Sequence, residues 1–133
     1  MSVGPVLLID HDREWCDQVS RFLGSNGYEV VSEGDSSAAL AKLPEIPKPS
    51  AVLLDIAAEG AEGRAFCRAF REMPAFHDVP LFLVTAASAA DVYEKRVGIN
   101  GYLRKTVALE YLLVLLNGLP SNPPRDGAPQ QAA

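Results

Sequence analysis

The chain is short of positive charge: 12 lysines and arginines stand against 17 aspartates and glutamates, for a formal net charge of -5. Binding along nucleic-acid phosphates needs a basic stripe that displaces counterions, so no direct nucleic-acid partner is expected. Long apolar runs are missing too. None approaches the roughly 20 residues that cross a bilayer as a helix. The start, Met1-Ser2-Val3-Gly4-Pro5, has neither a basic region nor a cleavage-type segment, so no membrane partner is expected and the cytoplasm is the expected location. Cysteine is scarce. Cys16 and Cys67 lie in helical patterns with no Cys or His at metal spacing, and they read as reduced packing residues with no disulfide. No internal repeat occurs, and 133 residues suffice for one domain with a full core but not for two.

What is present is a repeated pairing of short apolar runs with helical periodicity. Ala51-Val52-Leu53-Leu54-Asp55-Ile56 is apolar but for one carboxylate near its end. Such a run reads as a strand buried on both faces of a parallel sheet, with Asp55 at its carboxyl end. Pro5-Val6-Leu7-Leu8-Ile9 is similar and runs into Asp10-His11-Asp12. Trp15, Val19, Phe22 and Leu23 then mark one helix face, stopped by Gly24-Ser25-Asn26-Gly27. Tyr28 to Ser32 reads as a strand, and Gly34-Asp35-Ser36 as a turn with an N-cap for a helix through Ala38 and Leu43. Pro44, Pro47 and Pro49 stiffen the connection to the Asp55 strand.

A loop from Ala57 to Gly63 is expected after Asp55, then a helix with Phe66 and Phe70 on one face until Pro74. Val79 to Val84 reads as a strand ending at Thr85, Ala89 to Val97 as a weak helix, Asn100 to Arg104 as a strand leading into Lys105, and Val107 to Leu116 as a strongly apolar helix. The expected fold is α/β: a doubly wound five-stranded parallel sheet with helices on both faces, flavodoxin-like, (βα)5. Residues 1–119 form the domain. Residues 120–133, rich in Pro, Gly and Gln, read as a disordered tail or linker. Asp10-His11-Asp12, Asp55 and Lys105 all follow strands, so a doubly wound sheet gathers them at one rim.

Four fragments in this order, Val6-Leu7-Leu8-Ile9-Asp10, Val52-Leu53-Leu54-Asp55, Val84-Thr85-Ala86 and Gly101-Tyr102-Leu103-Arg104-Lys105, resemble a response-regulator receiver domain of two-component signalling. Glu62-Gly63 stands where the family usually has Asp-Gly, and the resemblance runs from Pro5 to Leu119. It implies that Asp55 is the phosphoacceptor, attacking a phosphohistidine on a sensor histidine kinase or phosphotransfer protein. It implies Mg²⁺ held by Asp10, Asp55 and the backbone carbonyl of Ala57, with Asp12 or His11 as a further candidate. Lys105 would bind a phosphoryl oxygen, while the Thr85 hydroxyl and the Tyr102 ring would form the switch. No enzyme activity beyond self-phosphorylation is implied.

Four positions depart from the family pattern. His11 replaces the second aspartate of the acidic pair, which lowers the expected Mg²⁺ affinity, because Mg²⁺ prefers oxygen and imidazole suits softer ions. It reads first as a solvated loop histidine. Asp12 compensates only if the loop re-aims it. Thr106 replaces a proline, often cis in the family; a non-proline cis bond costs about 2.5 to 4 kcal/mol, so a trans, differently shaped loop that redirects Lys105 is expected. Glu59 replaces another proline and offers an extra carboxylate. The interval from Thr85 to Lys105 is shorter than usual, so the signalling face is expected to be atypical.

Tyr111 to Leu116 is apolar without a break, more than one sheet face can cover. It implies either a surface for a downstream target or self-association, or a helix covered by the tail folding back. Tyr102 reads as a switch ring ahead of a static packing residue. As a whole the chain reads as a phosphoaccepting switch. The alternative is a pseudo-receiver that docks partners without phosphorylation, favoured by His11, Glu59 and Thr106. A remote third reading takes Asp10-His11-Asp12 as the Asp-x-Asp of a haloacid-dehalogenase-type phosphatase, but Arg13-Glu14 follows where that family turns, and a late acidic pair is lacking. No Ser/Thr-Gly-rich phosphate loop follows the first strand, which argues against a flavin site.

Overall fold

The computed structural model describes residues 4–55, 61–85, 100–105 and 109–119. The described elements include five strands and four α-helices: β1 Val6–Ile9, α1 Arg13–Ser25, β2 Val30–Glu33, α2 Ser36–Lys42, β3 Ala51–Asp55, α3 Ala61–Glu72, β4 Leu81–Thr85, β5 Gly101–Arg104 and α4 Leu109–Asn117. The sheet is parallel throughout, in the order β2-β1-β3-β4-β5. The chain leaves β1 toward one edge and later builds β3, β4 and β5 toward the other. The strand order therefore reverses between β1 and β3, and in open α/β sheets the carboxyl end of that junction is where ligands bind. The expected doubly wound, five-stranded α/β sheet is the observed one. The Ala89 to Val97 helix, Ile56 and residues 120–133 lie outside the described residues.

Pleating divides the core in two. Val6, Leu8, Ala51, Leu53, Phe82, Val84 and Leu103 face α1 and α4, where they meet Cys16, Val19, Leu23, Leu112 and Leu116. Leu7, Ile9, Val52, Leu54, Leu81 and Leu83 face α2 and α3, against Ala39, Phe66, Cys67 and Phe70. Every residue of β1 and β3 is buried, which explains why these strands read as continuous apolar runs without alternation. Both cysteines are buried and unbridged, as expected.

Local chemistry sets the ends of the elements. Asp12 caps α1, its Oδ1 accepting from the Trp15 backbone N–H at 3.2 Å, and Asp35 caps α2 by accepting from Ala38 at 2.8 Å. α1 runs through Gly24 to Ser25 before Gly27, at φ 91°, reverses the chain; that left-handed backbone suits a residue without a Cβ. β2 starts at Val30, later than expected, because Tyr28 is drawn into the core and its hydroxyl donates to Asn117 Oδ1 at 2.6 Å.

α3 starts at Ala61, so Ala61, Glu62 and Gly63 are helical and not loop as the two glycines suggest. Gly63 is buried. Phe66 and Phe70 are fully buried and stacked at 5.5 Å between ring centroids, and Phe76 extends the stack at 5.0 Å. Burial of each such side chain stabilises the fold by about 1.5 to 3 kcal/mol, enough to override the weak intrinsic helix propensity of one glycine. The Arg71 guanidinium donates to the carbonyls of Phe76 and His77 at 2.9 and 3.2 Å and to Asn100 Oδ1 at 3.0 Å, tying the end of α3 to the start of β5.

Candidate functional site

The parallel register aligns Ile9 with Leu54, so the next residues, Asp10 and Asp55, come side by side at the carboxyl rim. Both carboxylates are buried, Asp10 at 1% and Asp55 at 4% exposure. Asp10 extends the β1 ladder by donating its N–H to the Glu33 carbonyl at 2.9 Å. Its Oδ1 accepts from the Asp12 N–H at 2.8 Å, which fixes the carboxyl plane and sends Oδ2 into the rim.

Lys105 follows β5 and reaches back across the sheet. Its ammonium stands 2.8 Å from Asp10 Oδ2, 3.7 Å from Asp12 Oδ2 and 3.7 Å from Asp55 Oδ2. The Trp15 ring lies beneath it, 5.1 Å from the nitrogen, as a cation–π partner. Burial disfavours the charge on Lys105, but the contact with Asp10 and the charges of Asp55, Asp10 and Asp12 outweigh it, so its pKa is raised above the ordinary lysine value. The redirected Lys105 expected from Thr106 is therefore not found: the side chain points at Asp10, with Asp55 beside it. Thr106 itself lies outside the described residues.

Asp12 has a different place from the one its sequence position suggests. It is committed to the α1 cap through Oδ1 and touches the pocket only through Oδ2. His11 is exposed on the bend between them, and its imidazole, Asp10 and Asp55 each offer a ligand atom within 4.8 Å of the others. Among the described residues Asp10 Oδ2 is the one buried side-chain oxygen or nitrogen without a hydrogen bond, and the Lys105 ammonium 2.8 Å away is its ion-pair partner. A buried carboxylate oxygen left in this state fits a bound cation, and the two carboxylates supply the hard donors that Mg²⁺ takes.

Beneath the rim, the Cys16 thiol donates to the Asp10 carbonyl at 3.3 Å. Burial, and then the charge of Asp10, push it up to about 11, so it remains a thiol at neutral pH. Trp15 and Cys16 read in the sequence only as an apolar helix face, and nothing in their spacing marks them as neighbours of Lys105 and Asp10. Asp12 did carry a signal: an aspartate three residues before Trp15 is N-cap spacing.

Of the remaining candidates, Thr85 ends β4, its backbone paired beside Arg104, and Tyr102 lies within β5 beside Leu83. The side chains of both lie outside what is described, as do Ala57 and Glu59. On α4, Leu112 and Leu116 are buried, while Tyr111 and Val114 are 53% and 47% exposed. These two are the exposed large apolar residues among those described, so the expected excess of apolar surface on this helix is present.

The response regulator receiver domain family matches residues 6–117. The chain is similar to the response regulator MprA of Mycolicibacterium vanbaalenii, 34% identical over 131 residues that take in 96% of this chain and 55% of that protein. It is 30% identical over 130 residues to MprA of Mycobacterium leprae, taking in 96% of this chain and 56% of that protein. The chain thus spans about half the length of the curated relatives it matches. Among solved structures it resembles the chemotaxis protein CheY4 of Vibrio cholerae, at 27% identity and a TM-score of 0.78 over 87% of this chain and 98% of that one. It shares the fold of the receiver domain of a sensor histidine kinase from Pseudomonas aeruginosa, solved with magnesium in its active-site cleft, at 23% identity and a TM-score of 0.75, covering 87% of this chain and 96% of that one. By this match the chain belongs to the response-regulator receiver domains of two-component signalling.

Proposed function

We propose that this domain is a phosphoaccepting switch in which Asp55 takes a phosphoryl group from the phosphohistidine of a sensor histidine kinase or phosphotransfer protein. Receiver domains interact with such donors and are in general acceptors, not catalysts. The observation that carries the reading is the buried Asp55 carboxylate at the sheet's switch point, 3.7 Å from the Lys105 ammonium and beside Asp10.

In this reading an Asp55 oxygen attacks phosphorus opposite the imidazole nitrogen. The P–O bond forms as the P–N bond breaks, and the departing imidazole takes up a proton. Negative charge spreads over the phosphoryl oxygens on the way, so positive charge held nearby lowers the barrier. Lys105 supplies it by exchanging its contact with Asp10 for a phosphoryl oxygen. Asp10, Asp55 and the Ala57 carbonyl would hold Mg²⁺, which when bound supplies further neutralisation of the phosphoryl charge. The Thr85 hydroxyl and Tyr102 ring relay the new charge, and the α4 face with Tyr111 and Val114 meets a downstream protein or a second copy.

A second reading, a docking module independent of phosphorylation, is favoured by the exposed imidazole of His11 where the family has a carboxylate. Incubation with acetyl phosphate and Mg²⁺, read by intact mass, separates them. The switch requires an adduct that Asp55→Asn abolishes. No adduct, even after His11→Asp, establishes the docking reading.

A further inference from the structure

We infer that Asp10, His11 and Asp55 form a mixed nitrogen–oxygen site whose preferred occupant is a divalent transition ion of the Zn²⁺ kind. The inference rests on the rim being a cation pocket, as in the reading above. Its basis is the juxtaposition of one imidazole with two buried carboxylates, all three offering ligand atoms within 4.8 Å. Ligands around tetrahedral Zn²⁺ stand about 2.0 to 2.2 Å from the ion and so about 3.3 to 3.6 Å from one another, and an inward turn of the imidazole is what closes the set. His11 is the exposed member and is free to make that turn.

The independent sign of a ligand is Asp10. Its Oδ2 is buried and has no hydrogen bond among the described residues, while Oδ1 is anchored by the Asp12 N–H at 2.8 Å. A carboxylate with one oxygen pinned and the other turned into a pocket is how second-shell contacts present a metal ligand. Lys105 ion-pairs that oxygen at 2.8 Å, so an incoming cation displaces the ammonium. Mg²⁺ does this at a disadvantage, because it demands oxygen donors and dehydrates reluctantly. An ion that accepts imidazole gains a third protein ligand for the same displacement.

Titration calorimetry of the full chain with zinc chloride and, separately, magnesium chloride, without a phosphodonor, tests this. The fluorescence of Trp15, the single tryptophan, reports displacement of Lys105 from 5.1 Å above its ring. His11→Ala should weaken Zn²⁺ by at least about tenfold, the low end of what loss of even an outer partner costs, and leave Mg²⁺ unchanged. His11→Asp should strengthen Mg²⁺. His77→Ala, the other histidine, should change neither, and a ¹⁵N shift on the His11 ring should appear with Zn²⁺. Unchanged Zn²⁺ affinity in His11→Ala, or an unshifted His11 ring, overturns the inference. Acetyl phosphate labelling of the same samples separates the two readings. An adduct with no effect of His11→Ala sinks the zinc site alone, and a His11-dependent zinc site with no adduct sinks the switch alone.

Discussion

Lys105 sets one positive charge among three converging carboxylates, and its removal exposes their repulsion. Lys105→Met should cost about 2 kcal/mol in urea unfolding, below the roughly 3 to 5 kcal/mol of a fully buried pair because the side chain is 14% exposed. Since the folded-state pKa of Lys105 is raised, this contribution is fully present below its unfolded value of about 10.4 and is lost only as pH climbs through the higher folded value. Wild type and Lys105→Met should therefore converge in stability only in strong alkali. A constant gap up to pH 12 would show that the ion pair is not the cause. Cys16 follows the same sign: raised to about 11, its neutral thiol stabilises the fold below the unfolded value of about 8.5, and that contribution falls away toward pH 11. At pH 8 iodoacetamide should leave Cys16 unmodified in the native protein and alkylate it in urea, as read by peptide mass. Rapid native alkylation would contradict its burial.

Two aspartates cap helices, and the contrast between them is informative. Asp35→Ala removes the bond to Ala38 from a seven-residue helix and should cost about 1 kcal/mol. Asp12→Ala loses a comparable cap and also the Asp12 carboxylate's 3.7 Å contact with the Lys105 ammonium, so its net cost should be larger. Equal shifts in urea midpoint would mean that Asp12 contributes nothing to the pocket charge. Arg71 tests the other end of the sheet. Arg71→Lys cannot reach the carbonyls of Phe76 and His77 and the Asn100 side chain with one ammonium, and should cost about 1.5 to 3 kcal/mol despite conserving charge. At this scale the sequence was a good guide where burial was complete: β1 and β3 stand where their apolar runs ended in Asp10 and Asp55. It was a poor guide at α3, where Gly60 and Gly63 look like a loop but Phe66 and Phe70 pull the helix back to Ala61. A partner distant in the chain also moved the β2 boundary, since Tyr28 answers to Asn117, and no local pattern reveals that.

For the whole molecule, strand order and pleat bring three scattered fragments, those that carry Asp10, Asp55 and Lys105, into one pocket. Asp10, Asp55 and Lys105 were legible because each ends or follows a strand, and carboxyl ends of parallel strands share a rim. The geometry around them was not, because the ion pair with Asp10, the ring of Trp15 and the cap at Asp12 depend on the packing of α1 against the sheet. Surface properties belong here too. Exposed Tyr111 and Val114 predict self-association or target binding through α4. Sedimentation velocity over a concentration series should show a shift that Tyr111→Glu removes without lowering stability. A strict monomer at all concentrations would argue against self-association.

The alternating pleat of the strands has one more consequence. Asp10, Asp55 and Lys105 share the parity of Leu8, Leu53 and Leu103, the residues that face α1 and α4. The sheet therefore acts as a partition, with the charged chemistry above one compartment and the phenylalanine stack of α3 sealed in the other. A charge placed on Asp55 should be felt as altered amide hydrogen exchange in α1 and α4, the helix that carries Tyr111, while protection in α2 and α3 stays as it was. Exchange changes confined to α2 and α3 would show that the partition does not hold.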